Sequence, residues 1–219
     1  MKRAEALFKQ AETDQTWEAF DRALQNIALW AEQDRVHEYA GFVDHMKALQ
    51  RPIIRAMTTD RTRLSGTAID LLKKLSSAME GDYEKIHDLF APTLLRLFAR
   101  TNKVTNMRSL ECYKAVIENS KIPKSIPRLC DSLLRKDPNK SVRKCVNECL
   151  AKLLQVNAPR DVQRYAKNIE SALMTAAVDP AAEVRNAARL FYASFCEKLP
   201  QRSATFNAKL PADVRKSLA

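Results

Sequence analysis

The sequence predicts an all-α solenoid, a stack of paired helices, and three observations carry that prediction. Only three glycines, Gly41, Gly66 and Gly81, occur in 219 residues, while Ala, Leu, Lys, Arg and Glu dominate as helices require. The segment Asp179-Pro180-Ala181-Ala182-Glu183-Val184-Arg185 has a twin in Asp137-Pro138-Asn139-Lys140-Ser141-Val142-Arg143. After each twin the apolar residues fall at helical spacing: Val142, Cys145, Val146, Cys149, Leu150 and Leu153 in one, Val184, Ala187, Ala188, Phe191 and Phe195 in the other.

Each twin should open a helix. Asp is a good N-cap, and Pro fits the first helical position, where its missing N–H costs nothing. The copies start roughly 40 residues apart, the period of HEAT-type helical pairs. Residues 1–12 precede the first pair as a short amphipathic segment with Leu7 and Phe8 on one side, expected as an extra N-terminal helix on a solenoid spanning 13–219. Thr16-Trp17-Glu18 then opens a helix to about Gln33, with Phe20, Leu24, Ile27, Ala28 and Ala31 inward, Thr16 as cap and Glu18 in the favourable first turn. From about Arg35 to Met57 a second helix is expected, with Tyr39, Phe42, Val43, Met46 and Leu49 inward and a kink or interruption at Pro52.

The turn 58–63 leads into Leu64, Ala68, Leu71, Leu72 and Leu75, and a partner from near Asp82 carries Pro92 inside its apolar run. The turn 100–105 leads into Met107, Leu110, Tyr113, Val116 and Ile117; Ile122-Pro123 and Ile126-Pro127 open its short partner. The fourth pair starts at Asp137, with a partner near Pro159-Arg160-Asp161, and the fifth starts at Asp179. A short closing helix over Lys209–Val214 would cover the last apolar face, as solenoids need. No linker or second domain interrupts this pattern.

No run of about 18 apolar residues exists and no signal-peptide pattern opens the chain, so a soluble intracellular protein is expected. The five cysteines (Cys112, Cys130, Cys145, Cys149, Cys196) sit on apolar helix faces. Cys145 and Cys149 are i,i+4 neighbours, but His37, His45 and His87 are scattered, so core thiols are expected and no metal or other cofactor. No glycine-rich phosphate loop or histidine beside a nucleophile appears, and no enzyme activity is expected. The net charge of +11 implies an acidic partner: nucleic acid, an anionic membrane or an acidic protein.

Turns inside stacked pairs align along one edge. Here they carry Trp17; Arg61 and Arg63; Asn102 and Lys103; Lys140 and Arg143; then Glu183 and Arg185. Trp and Arg dominate interface hot spots, and Lys steers association. Spacing leaves Trp17 open between a rim residue and a packing residue. In the Val-Arg frames, Arg143 and Arg185 either face a partner or pair with the Asp of their own or the adjacent repeat as a spine.

This ordered set resembles the TOG domains of microtubule regulators, and within them the CLASP branch, most nearly its second TOG domain. The resemblance runs from Thr16-Trp17-Glu18 through Asp60-Arg61-Thr62-Arg63-Leu64, Asn102-Lys103-Val104, Ile122-Pro123, Ile126-Pro127, Lys140-Ser141-Val142-Arg143 and Asp179 to Arg185, to the ending Val214-Arg215-Lys216-Ser217-Leu218. It implies a six-repeat paddle, monomeric as a domain, whose loop edge binds αβ-tubulin and microtubules in the cytoplasm and mitotic spindle, with neither membrane nor nucleic acid as partner. Trp17 would serve the first loop, Arg61 and Arg63 the second, Asn102 and Lys103 the third, Lys140 and Arg143 the fourth, and Arg185 the fifth. Glu183 departs from a uniformly basic edge, and the region around Pro52 and Thr58-Thr59 is not strongly family-like. The alternative is a basic nucleic-acid-binding solenoid, such as a HEAT-like DNA glycosylase, but Trp30 and the tyrosines share no periodic position that would line its channel.

Overall fold

The computed structural model describes residues 1–33 and 35–218. The described residues form helices and turns, with no strand among them, and the chain divides into two units, residues 1–120 and 121–219. Among the described residues, no helix is long and apolar enough to cross a membrane.

The first unit begins with α1 (Lys2–Leu7), anchored by buried Ala4 and by Phe8, whose ring stands 4.9 Å from that of Phe20. Glu5 of α1 also meets Nδ1 of His45. The extra N-terminal helix is therefore present, though shorter than residues 1–12. Helix α2 (Trp17–Gln33) buries the expected stripe of Phe20, Leu24, Ile27, Ala28 and Ala31, together with Asp21. Thr16 does not cap it through its side chain to the first turn; its hydroxyl donates backward to the Ala11 carbonyl at 2.8 Å.

The expected single helix after Arg35 is broken. A 3₁₀ turn (Val36–Glu38) is followed by α3 (Phe42–Ala48) and α4 (Gln50–Thr58). Gly41, at φ 86°, takes the left-handed backbone that precedes α3, a conformation that costs glycine little. The second break falls at Leu49, three residues before Pro52, which cannot bond back to the Ala48 carbonyl: this is the interruption expected there, and it leaves Pro52 in the first turn of α4, where its absent N–H is not missed. Tyr39, expected inward, is 69% exposed because it lies in the turn before α3.

Helix α5 (Thr62–Met79) packs between α2 and α7 (Lys103–Ser120). Gly66 faces α7: a Cβ there would run into the Arg108 guanidinium, which occupies the space a side chain would take. Helix α6 (Glu84–Leu97) continues through Pro92, and the Leu89 carbonyl three residues earlier accepts the Gln50 side-chain amide at 3.0 Å. Helices α2, α5 and α7 thus make one layer, with α4 and α6 behind them.

The second unit repeats the scheme. Helix α9 (Lys140–Val156) packs on α12 (Ala182–Lys198), and α8 (Ile126–Leu134) packs on α11 (Ala166–Ala177), which follows the short α10 (Pro159–Gln163). Helix α13 (Pro200–Lys209) adds Phe206, 5.9 Å from Phe195, and α14 (Ala212–Leu218) closes the end by burying Val214 and Leu218. The closing helix lies a few residues later than expected, because Pro211 stops α13 and precedes α14.

Cys112, Cys130, Cys145 and Cys149 are buried and Cys196 is half-buried. Burial pushes the Cys112 and Cys130 thiols up to about 12, so both remain neutral packing groups.

Candidate functional site

In the first unit, Trp17 stands half-buried at the first position of α2. The guanidinium carbons of Arg61 and Arg63 each lie 5.7 Å from its ring centroid. Two cations over one indole hold the ring in place through its negative π-face. The arginines are held in turn by carboxylates. Arg61 pairs with Glu12, Nε to Oε1 at 3.3 Å, and with Asp14 through Nη2. Arg63 Nε reaches Asp21 Oδ2 at 3.1 Å. Asp21 is 1% exposed; Gln25 donates to the same Oδ2, while Oδ1 has no hydrogen-bond partner among the described residues. Three residues named from the sequence are thus brought together, and the carboxylates that hold the two cations were not named. Asp21 carried a signal: it interrupts the buried stripe of α2 between Phe20 and Leu24, where a carboxylate needs a cation.

Asn102 caps α7. Its Oδ1 accepts the N–H groups of Val104 and Thr105 at 3.0 and 3.3 Å, so that atom is committed to the backbone. Lys103 is exposed and makes no ion pair among the described residues. Val104 and Met107 beside it are 53% and 60% exposed. The expected inward stripe of α7 therefore starts later than Met107.

In the second unit the twin motifs interlock. Arg143 grips Asp179 with two bonds, Nε to Oδ2 at 2.6 Å and Nη2 to Oδ1 at 3.0 Å. Its Nη1 donates to the Asp137 carbonyl at 2.6 Å, and Arg185 repeats that contact on the Asp179 carbonyl at 2.7 Å. Arg143 is thus the spine between repeats, as one of the two readings of the Val-Arg frame expects, with only 12% of its side chain exposed. Burial acts to raise the Asp179 carboxyl, but the Arg143 bonds, the Ala181 N–H and the nearby Arg185 charge outweigh it and leave the carboxyl below its usual range. The same hydrogen bond raises the Arg143 guanidinium.

Neither Asp is the helix cap that its position suggests. Asp137 and Asp179 accept the N–H groups of Asn139 and Ala181 at 2.8 and 2.9 Å, forming tight turns one step before the helix. Asn139 then caps α9 by accepting from Ser141 N–H at 2.8 Å, and both prolines precede their helices. Lys140 meets Glu183 at 3.2 Å, which accounts for the acidic residue in the fifth loop: it faces a lysine of the neighbouring repeat.

These helical pairs, with polar turns tied to one another, define the fold of a TOG domain. A chain solved in work on microtubule plus-end tracking by XMAP215, CLIP-170 and EB1 superposes with a TM-score of 0.75 at 16% identity, covering 97% of this chain and 86% of that one. The TOG domain of Zyg9 from C. elegans gives 0.71 at 13% identity, over 100% of this chain and 79% of that one. The sequence profile described as CLASP N terminal matches residues 1–219, and the chain belongs to that family, which is non-enzymatic. A CLIP-associated protein of Arabidopsis thaliana is 28% identical over 167 residues, which is 76% of this chain. The chain spans 12% and 15% of the lengths of the curated relatives it matches.

Proposed function

We propose that this chain is an αβ-tubulin-binding TOG module that contributes to microtubule stabilisation, by rescue or suppression of catastrophe, within a longer CLASP-type protein of the cytoskeleton and spindle. Family membership supports the microtubule role. The arrangement that carries the tubulin assignment is Trp17, a half-buried aromatic with the guanidinium groups of Arg61 and Arg63 packed over its ring. A large aromatic that keeps one orientation loses little entropy when a partner covers it, the property of an interface anchor. Lys103, Lys140 and Arg185 supply charge toward an acidic partner. Asn102 and Arg143 support the loops that present those groups, and Arg61 and Arg63 both contact the anchor and hold it. A nucleic-acid reading is less well supported, since Arg61, Arg63 and Arg143 are already matched by carboxylates.

Trp17→Glu tests the assignment. It should weaken binding to purified tubulin by roughly thirtyfold or more, the loss of a hot-spot aromatic, while helical content by circular dichroism and the melting temperature stay those of the parent. Co-elution of the variant with tubulin equal to the parent's would overturn the assignment.

A further inference from the structure

The arginines of this chain are held in two chemically different ways. Arg61, Arg63, Arg143 and Arg202 each face a carboxylate. Three others, on the α12–α14 edge of the second unit, are held by neutral oxygens instead. Arg185 donates to the carbonyls of Asp179 and Pro180 at 2.7 and 3.0 Å. Arg189 donates to the Ser217 carbonyl at 2.9 Å and to Asn186 Oδ1 at 3.1 Å. Arg215 donates to the carbonyls of Asn207 and Leu210 at 3.1 and 3.2 Å. Among the described residues none of the three forms an ion pair with a carboxylate.

These groups are neighbours. Arg185, Arg189 and Tyr192 follow one face of α12 at i, i+4 and i+7. Arg189 reaches α14 through Ser217, and Arg215 shares Asn207 with the Tyr192 hydroxyl, which bonds Asn207 Oδ1 at 2.6 Å. Lys216, exposed and next to Ser217 in the chain, brings a fourth cation to the last turn of α14, whose first turn carries Asp213. A like-charge pair at i,i+4 such as Arg185 and Arg189 slightly disfavours a helix. Carbonyl bonds fix the guanidinium planes without cancelling their charge; Arg185 also acts on the nearby Asp179 carboxylate, whereas Arg189 and Arg215 keep N–H groups that fit carboxylates in forked pairs.

We infer that the edge formed by Arg185, Arg189, Arg215 and Lys216 is a binding strip for an extended acidic polypeptide segment. The inference rests on the reading above in taking the partner to be an acidic protein, and adds a contact on α14 that the loop residues do not include. Exposed Leu190, beside Arg189, and the Tyr192 ring suit a peptide's mixed side chains better than a uniform phosphate track.

The test is fluorescence anisotropy of a labelled decaglutamate peptide titrated with the full chain at low salt. The parent should bind saturably, and Arg189→Gln with Lys216→Gln should bind roughly tenfold more weakly, as for two lost charge contacts. Arg189→Lys with Lys216 retained should fall between, since it keeps charge without the fork. Where the double variant loses helical content, Lys216→Glu alone, at an exposed position with no ion pair, should still weaken the peptide severalfold. Trp17→Glu should bind the peptide as the parent does, whatever it does to tubulin, which separates failure of this strip from failure of the tubulin reading. Parity between double variant and parent, or loss of the peptide in Trp17→Glu, overturns the assignment. So does duplex DNA or a phosphatidylserine vesicle bound as tightly as the peptide and with the same loss in the double variant.

Discussion

Asp179 serves two segments at once: Oδ1 receives the N–H of Ala181 in its own turn, and both oxygens receive Arg143 from the preceding repeat. With 8% of the Asp179 side chain exposed and 12% of Arg143, removing one partner leaves a buried charge without an answer. Asp179→Ala should therefore cost about 3–5 kcal/mol in denaturant unfolding, far more than Glu183→Ala, which opens only the exposed Lys140 pair. The carboxyl lies below its ordinary value when folded, so its contribution is present above about pH 4, the unfolded range, and is lost as pH falls through the folded value. Denaturant midpoints from pH 6 down to pH 3 should fall for the parent and flatten for Asp179→Asn; parallel profiles would refute that linkage. The Val-Arg frame made this pair legible in the sequence. Glu12 and Asp14, the acids that hold Arg61 beside Trp17, were not, because they lie in the segment between α1 and α2, where no periodicity places a side chain.

At the scale of helices, the apolar period located the main helices but not the breaks, of which only the one before α4 was expected, from Pro52. Phe42, Met46, Leu49 and Ile53 keep helical spacing straight through the boundary between α3 and α4, so the pattern had no means of showing it. Exposed Tyr39 marks where a continuous stripe was read past a helix end, and exposed Met107 marks where the stripe was read ahead of the buried face inside α7. Helix ends also explain four left-handed residues that are not glycine, Arg35, Glu80, Lys121 and Lys136. Lys136 follows α8 at φ 52°, a place where glycine avoids the clash of Cβ with the backbone. The left-handed penalty of about 1–2 kcal/mol exceeds the entropy glycine adds to the unfolded chain, so Lys136→Gly should stabilise by about 0.5–1 kcal/mol. An unchanged or lower urea midpoint would count against that balance.

Over the whole molecule, the excess of +11 charges sets how an acidic partner is approached, and its distribution decides which lysines matter. Lys140 already faces Glu183, whereas Lys103 has no ion pair among the described residues. Lys103→Ala should slow association with tubulin at low salt more than Lys140→Ala does, by roughly twofold or more, with dissociation little changed. Equal association rates in stopped flow would show that steering does not depend on which lysine is neutralised. The bond from Arg143 to Asp179 has a bearing on growth as well as on strength. Because one motif's arginine must land on the next motif's aspartate, the polypeptide between them is metered: lengthening by a full copy hands the grip to a new neighbour, whereas a stray residue inside α11 turns Asp179 off its mark. Domains of this kind can therefore be expected to gain or lose length in complete units, with irregular insertions confined to ends and outer turns.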